Sequence, residues 1–239
     1  MKKNKLLIIV ATHGDETFSI PVVKKLAMSY GFDWLVGNPQ AVKAGTRQTQ
    51  ADLNRSAPGD IKSQVYEKRR AYRLIKLAKK YEAVLDIHGT TYLKGIVTIV
   101  TNPSWENIEL AKTIPTKTTI IWPSLRTQDC PITQFMPRAI EVECGKDNQL
   151  ENLLTQYLNQ PQKTYSQNQY IVTGKILGRS NPNLRDFEYT KLNNRYFYPF
   201  LSNLYSGITC YMTQKIGEKL SLLEMPKELT KGKILPVLI

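Results

Sequence analysis

The feature that most limits how this chain can fold is the way its apolar runs end. Leu6-Leu7-Ile8-Ile9-Val10-Ala11 carries no charge and stops at Thr12-His13-Gly14-Asp15-Glu16. Ala83-Val84-Leu85 leads through Asp86 and Ile87 to His88-Gly89. Short runs of this kind suit strands buried on both faces of a largely parallel sheet. In such sheets the residues just beyond the carboxyl ends of the strands line a common crevice. The sequence holds two histidines, and both stand at such ends. Positions 13 and 88 are therefore expected to meet at one rim.

The rest of the pattern extends this frame. Helical spacing of Phe18, Ile20, Val23, Leu26 and Ala27 predicts a helix over 17–30, stopped by Gly31. A short strand is expected at 34–36, and 37–61 lacks periodicity and reads as a long functional loop. A second helix is predicted over 64–80, with Val65, Tyr72, Ile75 and Ala78 inward. Strands follow at 83–87, 95–100, 118–122 and 139–142, then a helix at 148–158. Alternation of this sort predicts an α/β domain. Beyond Pro161 the texture changes to strand-like segments at 170–177, 196–201 and 209–212, with an extended tail at 232–239. The expected organisation is an α/β domain over 1–160 and a small β-rich domain over 161–239.

Composition narrows the function classes. At 239 residues, 41% hydrophobic and 22% charged, the chain can bury a full core without disulfides or a structural metal. A metal would therefore serve chemistry rather than folding. Cys130, Cys144 and Cys210 are odd in number and widely spaced, which argues against a disulfide framework and a cysteine zinc site. A reducing, cytoplasmic setting follows as an expectation. The start, MKKNKLLIIVAT, imitates a signal peptide, but its apolar run is too short, and no segment has the length of a membrane span. The net charge of +13 raises nucleic acid, anionic lipid and anionic small molecules as partners. The basic residues are scattered in short clusters such as Lys68-Arg69-Arg70, which favours solvated helix faces or a small anionic substrate over nucleic acid. No membrane partner is expected, and a homo-oligomer stays open.

The chemistry-bearing residues point the same way. His13-x-x-Glu16 at the start of a helix offers an imidazole and a carboxylate to one point, and His88 supplies a third ligand. Two histidines, one glutamate and an open fourth position make a catalytic zinc set. Asp86 lies on the same side of its strand as His88 and suits the role of accepting the imidazole N–H. Glu141 and Glu143 share one face of a short apolar strand, where carboxylates are costly unless paired or functional. One is read as an ion-pair partner and the other as a general base set at the rim by Gly145. The 45–55 loop gathers Arg47, Asn54 and Arg55, side chains suited to carboxylates and oxyanions, although solvated arginines on a surface loop would look the same.

These segments together resemble the succinylglutamate desuccinylase/aspartoacylase family of zinc carboxypeptidase-like hydrolases. The likeness rests on His13-Gly-Asp-Glu16, Asn38-Pro39, Asp52-Leu-Asn-Arg55, Asp86-Ile-His88-Gly-Thr-Thr91 and Glu143-Cys-Gly145, in that order. It covers residues 6–145 well and the remainder poorly. It implies a mixed α/β sheet flanked by helices, followed by a small β-rich domain. It also implies one Zn2+ per chain, held by His13, Glu16 and His88. Arg47 would polarise the scissile carbonyl, Asn54 and Arg55 would hold the substrate carboxylate, and Glu143 would be the general acid/base. Tyr205 would match a substrate-contacting tyrosine. Two departures stand out. Gly89 follows the second histidine where aspartoacylases often have asparagine. Thr133 stands where they place an arginine for the side-chain carboxylate, with Arg126 and Arg138 nearby.

The expected activity is hydrolysis of the acyl amide of a small anionic N-acyl amino acid. Two alternatives share the evidence. One is a metallocarboxypeptidase acting on a peptide C-terminus with the same ligands. The other is a non-enzymatic, basic nucleic-acid-binding protein on a hydrolase fold.

Overall fold

A computed structural model describes residues 6–216, apart from 91, 92, 94, 124–127, 146–148 and 193. Arg126, Thr91 and the predicted 232–239 strand lie outside the described residues. The first apolar run is strand β1 (Leu6–Val10), buried along its whole length, as a strand covered on both faces should be. Helix α1 (Ser19–Tyr30) follows and ends at Gly31, whose φ of 74° and N–H bond to the Ala27 carbonyl form a left-handed cap. Then come β2 (Asp33–Val36), α2 (Pro39–Ala44), α3 (Tyr66–Ala78) and β3 (Ala83–Gly89). β4 (Ile96–Val100), α4 (Trp105–Thr113), β5 (Thr118–Ile121), β6 (Ala139–Cys144) and α5 (Leu150–Asn159) complete the helical part. The C-terminal strands are β7 (Asn168–Leu177), β8 (Thr190–Leu192), β9 (Arg195–Phe200) and β10 (Ile208–Ile216).

The ten strands among the described residues form one mixed sheet, in the order β2-β1-β3-β6-β4-β5-β7-β10-β9-β8. β1, β3 and β6 run parallel, β4 is antiparallel to β6, and β5 pairs in parallel with β7. That last pairing carries the sheet across position 160 into the C-terminal strands, whose own pairings are antiparallel. The fold is thus mixed α/β, as the alternation predicts.

Strand alternation sorts the core. Ile8, Val10, Leu85, Ile87, Ile140 and Val142 pack with Val23 and Leu26 of α1, Ile108 and Ala111 of α4, and Leu153 and Leu154 of α5. On the opposite face Leu7, Ile9, Val84 and Ala139 pack against Ala71, Leu74, Ile75 and Ala78 of α3. Asp86 and His88 continue the Val84 side of β3, and Glu141 and Glu143 continue the Ala139 side of β6. All four thus lie on the α3 face, toward the carboxyl end of the parallel strands.

Several local expectations need correction. Tyr72 is exposed, because the inward stripe of α3 runs through Glu67, Ala71, Leu74, Ile75 and Ala78. The 37–61 segment is not all loop. Asn38 caps α2 by accepting from the Ala41 N–H, Pro39 opens the helix, and Gly45 closes it at φ 65°. A 3₁₀ turn over Leu53–Arg55 is capped by Asp52. α4 has no counterpart in the sequence prediction; its face is interrupted by buried Asn107, which bonds the Asn102 carbonyl and the Ala139 N–H. The basic Lys68–Arg70 cluster is partly structural, since Arg69 donates to the Ser63 and Gln64 carbonyls and Arg70 to those of Val36 and Gly37. Among the described residues no helix is long and apolar enough to cross a membrane.

Candidate active site

His13 and Glu16 sit in the turn between β1 and α1, not in the helix itself, which begins at Ser19. Glu16 therefore has loop freedom to face His88 at the end of β3. His13 Nδ1 lies 2.7 Å from Glu16 Oε1, and His88 Nδ1 lies 3.3 Å from Glu16 Oε2. The donor atoms of His13, Glu16 and His88 fall within 4.8 Å of one another. The backbone N–H of Gly89 also donates to Glu16 Oε2 at 3.0 Å. Gly89 itself packs under Phe18, whose ring would come within 2.4 Å of any added Cβ. The glycine there matches a local contact.

Both outward imidazole nitrogens face carboxylates. His88 Nε2 is 3.1 Å from Asp86 Oδ2, although without hydrogen-bond alignment, and Asp86 Oδ1 accepts from Thr12 Oγ1 at 2.7 Å. His13 Nε2 is 3.2 Å from Asp52 Oδ1 and 2.8 Å from an Arg47 guanidinium nitrogen. One ring nitrogen cannot both donate to Asp52 and accept from Arg47. With Nδ1 turned toward the ligand cluster, Nε2 carries the proton and donates to Asp52. Arg47 is then held by Asp52 Oδ2 at 3.4 Å and by Glu16 at 3.6 Å, and stays available to a ligand.

The electrostatics follow from burial opposed by partners. Burial pushes the Glu16 carboxyl up, but His13 and His88 outweigh it and hold it far below the usual carboxylate range. Burial likewise opposes ionisation of Asp52, and His13 with Arg47 and Arg55 overcomes it, so its acidity also rises. His13 and His88 are both raised. Burial opposes the shift in each; hydrogen bonds to Asp52 and Glu16 prevail for His13, and the Asp86 charge with Glu16 prevails for His88.

Glu143 stands opposite His88 in the β3–β6 register. Burial pushes its carboxyl up to about 7; the neighbouring Glu16 and Glu141 charges reinforce this, against His88 and His13. Glu141 is held differently. It accepts from Asn54 Nδ2 at 3.0 Å and Thr133 Oγ1 at 3.1 Å. These are neutral donors, not the ion pair expected from sequence. Just past Glu143, Gly145 passes close to the Leu93–Gly95 backbone: its N–H donates to the Gly95 carbonyl at 2.8 Å, and a Cβ would meet Leu93 O at 2.3 Å.

One cavity of about 860 Å³ is lined by His13, Glu16, Arg47, Asn54, Arg55, His88, Glu143 and Tyr205 together, so every sequence-predicted site residue reaches it. Asn54 is buried with both ends of its amide engaged, since its Oδ1 accepts from the Ile132 N–H at 3.2 Å. Thr133 is fully buried, its hydroxyl shared with Glu141 and Thr101. Arg138 sits at the opposite, amino end of β6, where its carbonyl accepts from Val84 N–H.

Two residues that sequence reasoning did not assign to the site organise it. Asp52 orients His13. Glu67, buried in the first turn of α3, accepts from Thr49 N, Thr49 Oγ1, Gln50 N, Ala51 N and Asn38 Nδ2, and so anchors the loop between Arg47 and Asp52. Burial opposes its charge, but the Thr49 and Gln50 bonds win and lower its pKa. Gly14 closes the other side of this loop. Its N–H donates to the Arg47 carbonyl at 3.0 Å, and a Cβ would lie 2.2 Å from the Ala41 carbonyl carbon.

Relatives share this frame. A probable aspartoacylase of Trichodesmium erythraeum (strain IMS101) is 32% identical over 148 residues, covering 54% of this chain and 49% of that protein. A probable aspartoacylase of Prochlorococcus marinus (strain AS9601) is 28% identical over 134 residues, 49% of this chain and 44% of that one. The match thus spans about half the length of these curated relatives. Murine aminoacylase 3 superposes with a TM-score of 0.69 at 17% identity, over 90% of this chain and 96% of that one. The succinylglutamate desuccinylase of Chromobacterium violaceum gives 0.63 at 15% identity, over 92% and 86%. Both structural likenesses show the fold. The model of the succinylglutamate desuccinylase/aspartoacylase catalytic domain matches residues 2–165. The chain belongs to that family.

Proposed function

We propose that the chain is a zinc-dependent amidohydrolase that releases the amine from an N-acyl amino acid. The observation that carries this reading is the meeting of His13, Glu16 and His88 beside Glu143 in one cavity. Two imidazole nitrogens and one carboxylate fit zinc and leave a tetrahedral position for chemistry. Zn2+, when bound there, supplies a Lewis acid and lowers the pKa of water to about 7.

The protein's own groups do the rest. Glu143, with its carboxyl near neutrality, takes the proton of the attacking water and delivers it to the leaving amine. Arg47 donates to the scissile carbonyl oxygen as negative charge builds on it. Arg55, with Asn54, orients the substrate carboxylate. Tyr205 adds a hydroxyl contact from the turn between β9 and β10. In this reading residues 1–160 form the catalytic unit and 161–239 a second unit, from which Leu201, Leu204, Tyr205 and Tyr211 line the cavity. The three cysteines of the chain, buried and widely spaced in sequence, suit a cytoplasmic setting.

The test is purification without chelator, metal quantification, and amine release from a panel of N-acyl amino acids, with dipeptides alongside. One zinc per chain and amine release are expected. Glu143→Gln should keep its zinc and lose about 10²-fold or more in turnover. Near-normal turnover in that variant would overturn the assignment, and a preference for dipeptides would make the protein a carboxypeptidase.

A further inference from the structure

We propose that the substrate carries a bulky apolar group, on its side chain or its acyl chain, rather than a second carboxylate. This rests on the amidohydrolase reading above and names its substrate class.

The cavity is lined by two chemically unlike groups of residues. The ligand cluster, Arg47, Asn54 and Arg55 form one. Ile99 of β4, Trp122 just past β5, Leu201 and Leu204 after β9, and Tyr211 of β10 form the other. This second group belongs to a core cluster that includes Ile120, Tyr170 and Phe200. Trp122 is fixed edge-on against Tyr211 at 4.5 Å and Phe200 at 5.8 Å between ring centroids. A rigid aromatic wall of this kind favours an apolar ligand group. Because Ile99 and Trp122 come from one part of the sheet and Leu201, Leu204 and Tyr211 from the other, the wall exists only where β5 and β7 join.

Charge points the same way. Among the described residues lining the cavity, the cations besides the histidines are Arg47 and Arg55, both from the 45–55 loop. Both have tasks there, one at the carbonyl and one at the carboxylate. The carboxylates are more numerous: Asp15, Glu16, Asp129, Glu141 and Glu143. A second carboxylate on the substrate would add to this negative charge, whereas an apolar group would not. At about 860 Å³ the cavity also stands near the upper part of the roughly 300–1,000 Å³ range of small-molecule pockets. It has room for a bulky substrate group beside the amide.

The experiment compares kcat/KM of the zinc-loaded protein on N-acetylphenylalanine, N-hexanoylalanine, N-acetylalanine, N-acetylaspartate and N-succinylglutamate. At least one of the first two should exceed both N-acetylaspartate, with two carboxylates, and N-succinylglutamate, with three, by about tenfold or more. Which of the two leads separates a side-chain pocket from an acyl pocket. Trp122→Ala should reduce the ratio of the favoured substrate to N-acetylalanine by about tenfold, chiefly through KM. Leu204→Arg, which leaves the Trp122 packing in place, should shift the ratio toward N-acetylaspartate. Preference for N-acetylaspartate or N-succinylglutamate, or equal loss on every substrate in both variants, overturns the proposal. If no amide is cleaved, calorimetry on the zinc-loaded protein with N-acetylphenylalanine and N-acetylaspartate decides it. Tighter binding of the phenylalanine compound then supports the pocket assignment while the hydrolase reading fails, and tighter binding of the aspartate compound overturns the assignment.

Discussion

Glu67→Ala tests whether the Arg47–Arg55 loop is held from below. The Glu67 carboxylate accepts five hydrogen bonds: four to Oε1, from Thr49 N at 2.9 Å, Thr49 Oγ1 at 2.6 Å, Gln50 N at 3.2 Å and Asn38 Nδ2 at 3.4 Å, and one to Oε2, from Ala51 N at 3.2 Å. A bond to a charged group contributes about 1.5–3 kcal/mol, but these share one acceptor and are not additive. Thr49 and Gln50 lie at the surface, so water can satisfy their donors once the carboxylate is gone. A loss of about 3–5 kcal/mol is expected, between one charged bond and a fully broken buried cluster. That corresponds to a fall in Tm of about 6–20 °C for a domain of this size. The functional effect should exceed what stability alone explains. The released segment lies between Arg47 and Asp52, and a displacement of about 1 Å at such groups costs about 10²-fold in rate. Zinc should still bind at saturating metal, because His13, Glu16 and His88 lie on other segments, with affinity weakened only as far as Asp52 leaves His13. Glu67→Gln keeps the shape and one acceptor, and should fall between wild type and alanine on both measures. The assays are thermal unfolding, zinc stoichiometry and kcat/KM on one substrate. A Glu67→Ala protein within about 1 kcal/mol of wild type and within about threefold in kcat/KM would refute the anchoring argument. The pH sign follows from the lowered pKa: the contribution is present above the ordinary carboxylate value and is lost as pH falls through the depressed one.

Asp52→Ala removes the partner of His13 Nε2 and should weaken zinc binding by about 10–100-fold, measured by competition with a chelator. Zinc loading of the metal-free protein should release protons, because both imidazoles are raised above their ordinary value and must be neutral to ligate. Calorimetry in buffers of different ionisation enthalpy reads this directly, and zinc affinity should rise with pH until both have titrated. The same raised imidazoles stabilise the metal-free fold below their unfolded pKa, and that contribution disappears as pH rises through the folded values. Gly14→Ala places a Cβ 2.2 Å from the Ala41 carbonyl carbon and 2.4 Å from Thr46 O. Both contacts are backbone, so a loss of about 1–3 kcal/mol with impaired zinc retention is expected in unfolding and metal assays.

The parallel half of the sheet is legible in the sequence because its strands are buried on both faces, and Leu6–Ala11 and Ala83–Ile87 can hardly be anything else. The ends of the same two runs suffice to bring His13 and His88 to one rim. Helices whose sides are evenly apolar or broken by polar contacts are less legible. α4 buries Asn107 to bridge two backbone groups, and this breaks the stripe that periodicity detects. α2 is only six residues long, too short for periodicity, although its Asn38-Pro39 start and Gly45 stop are a readable cap pair. Tyr72 misleads because an aromatic at helical spacing reads as core, whereas α3 uses small Ala71 and Ala78 to approach the sheet.

The site divides along the same line. Groups that touch the reacting atoms announce themselves by residue type, since histidine and glutamate at strand ends have few structural uses. The groups that hold them do not. Glu67 follows a valine and a tyrosine and precedes Lys68-Arg69-Arg70, so in sequence it looks like a solvated acid in a basic helix. Only closure of the chain brings Thr49, Gln50 and Ala51 over it, and three of the donors they present are backbone amides that carry no sequence signature. Asp52 is similar: its own cap on Asn54 is visible locally, but its second task on His13 spans 39 positions. Supporting residues of this kind become legible only when the loop they hold is seen against the helix beneath it. Glu67→Ala is therefore the sharper test of the fold's contribution to the chemistry than substitution of any ligand.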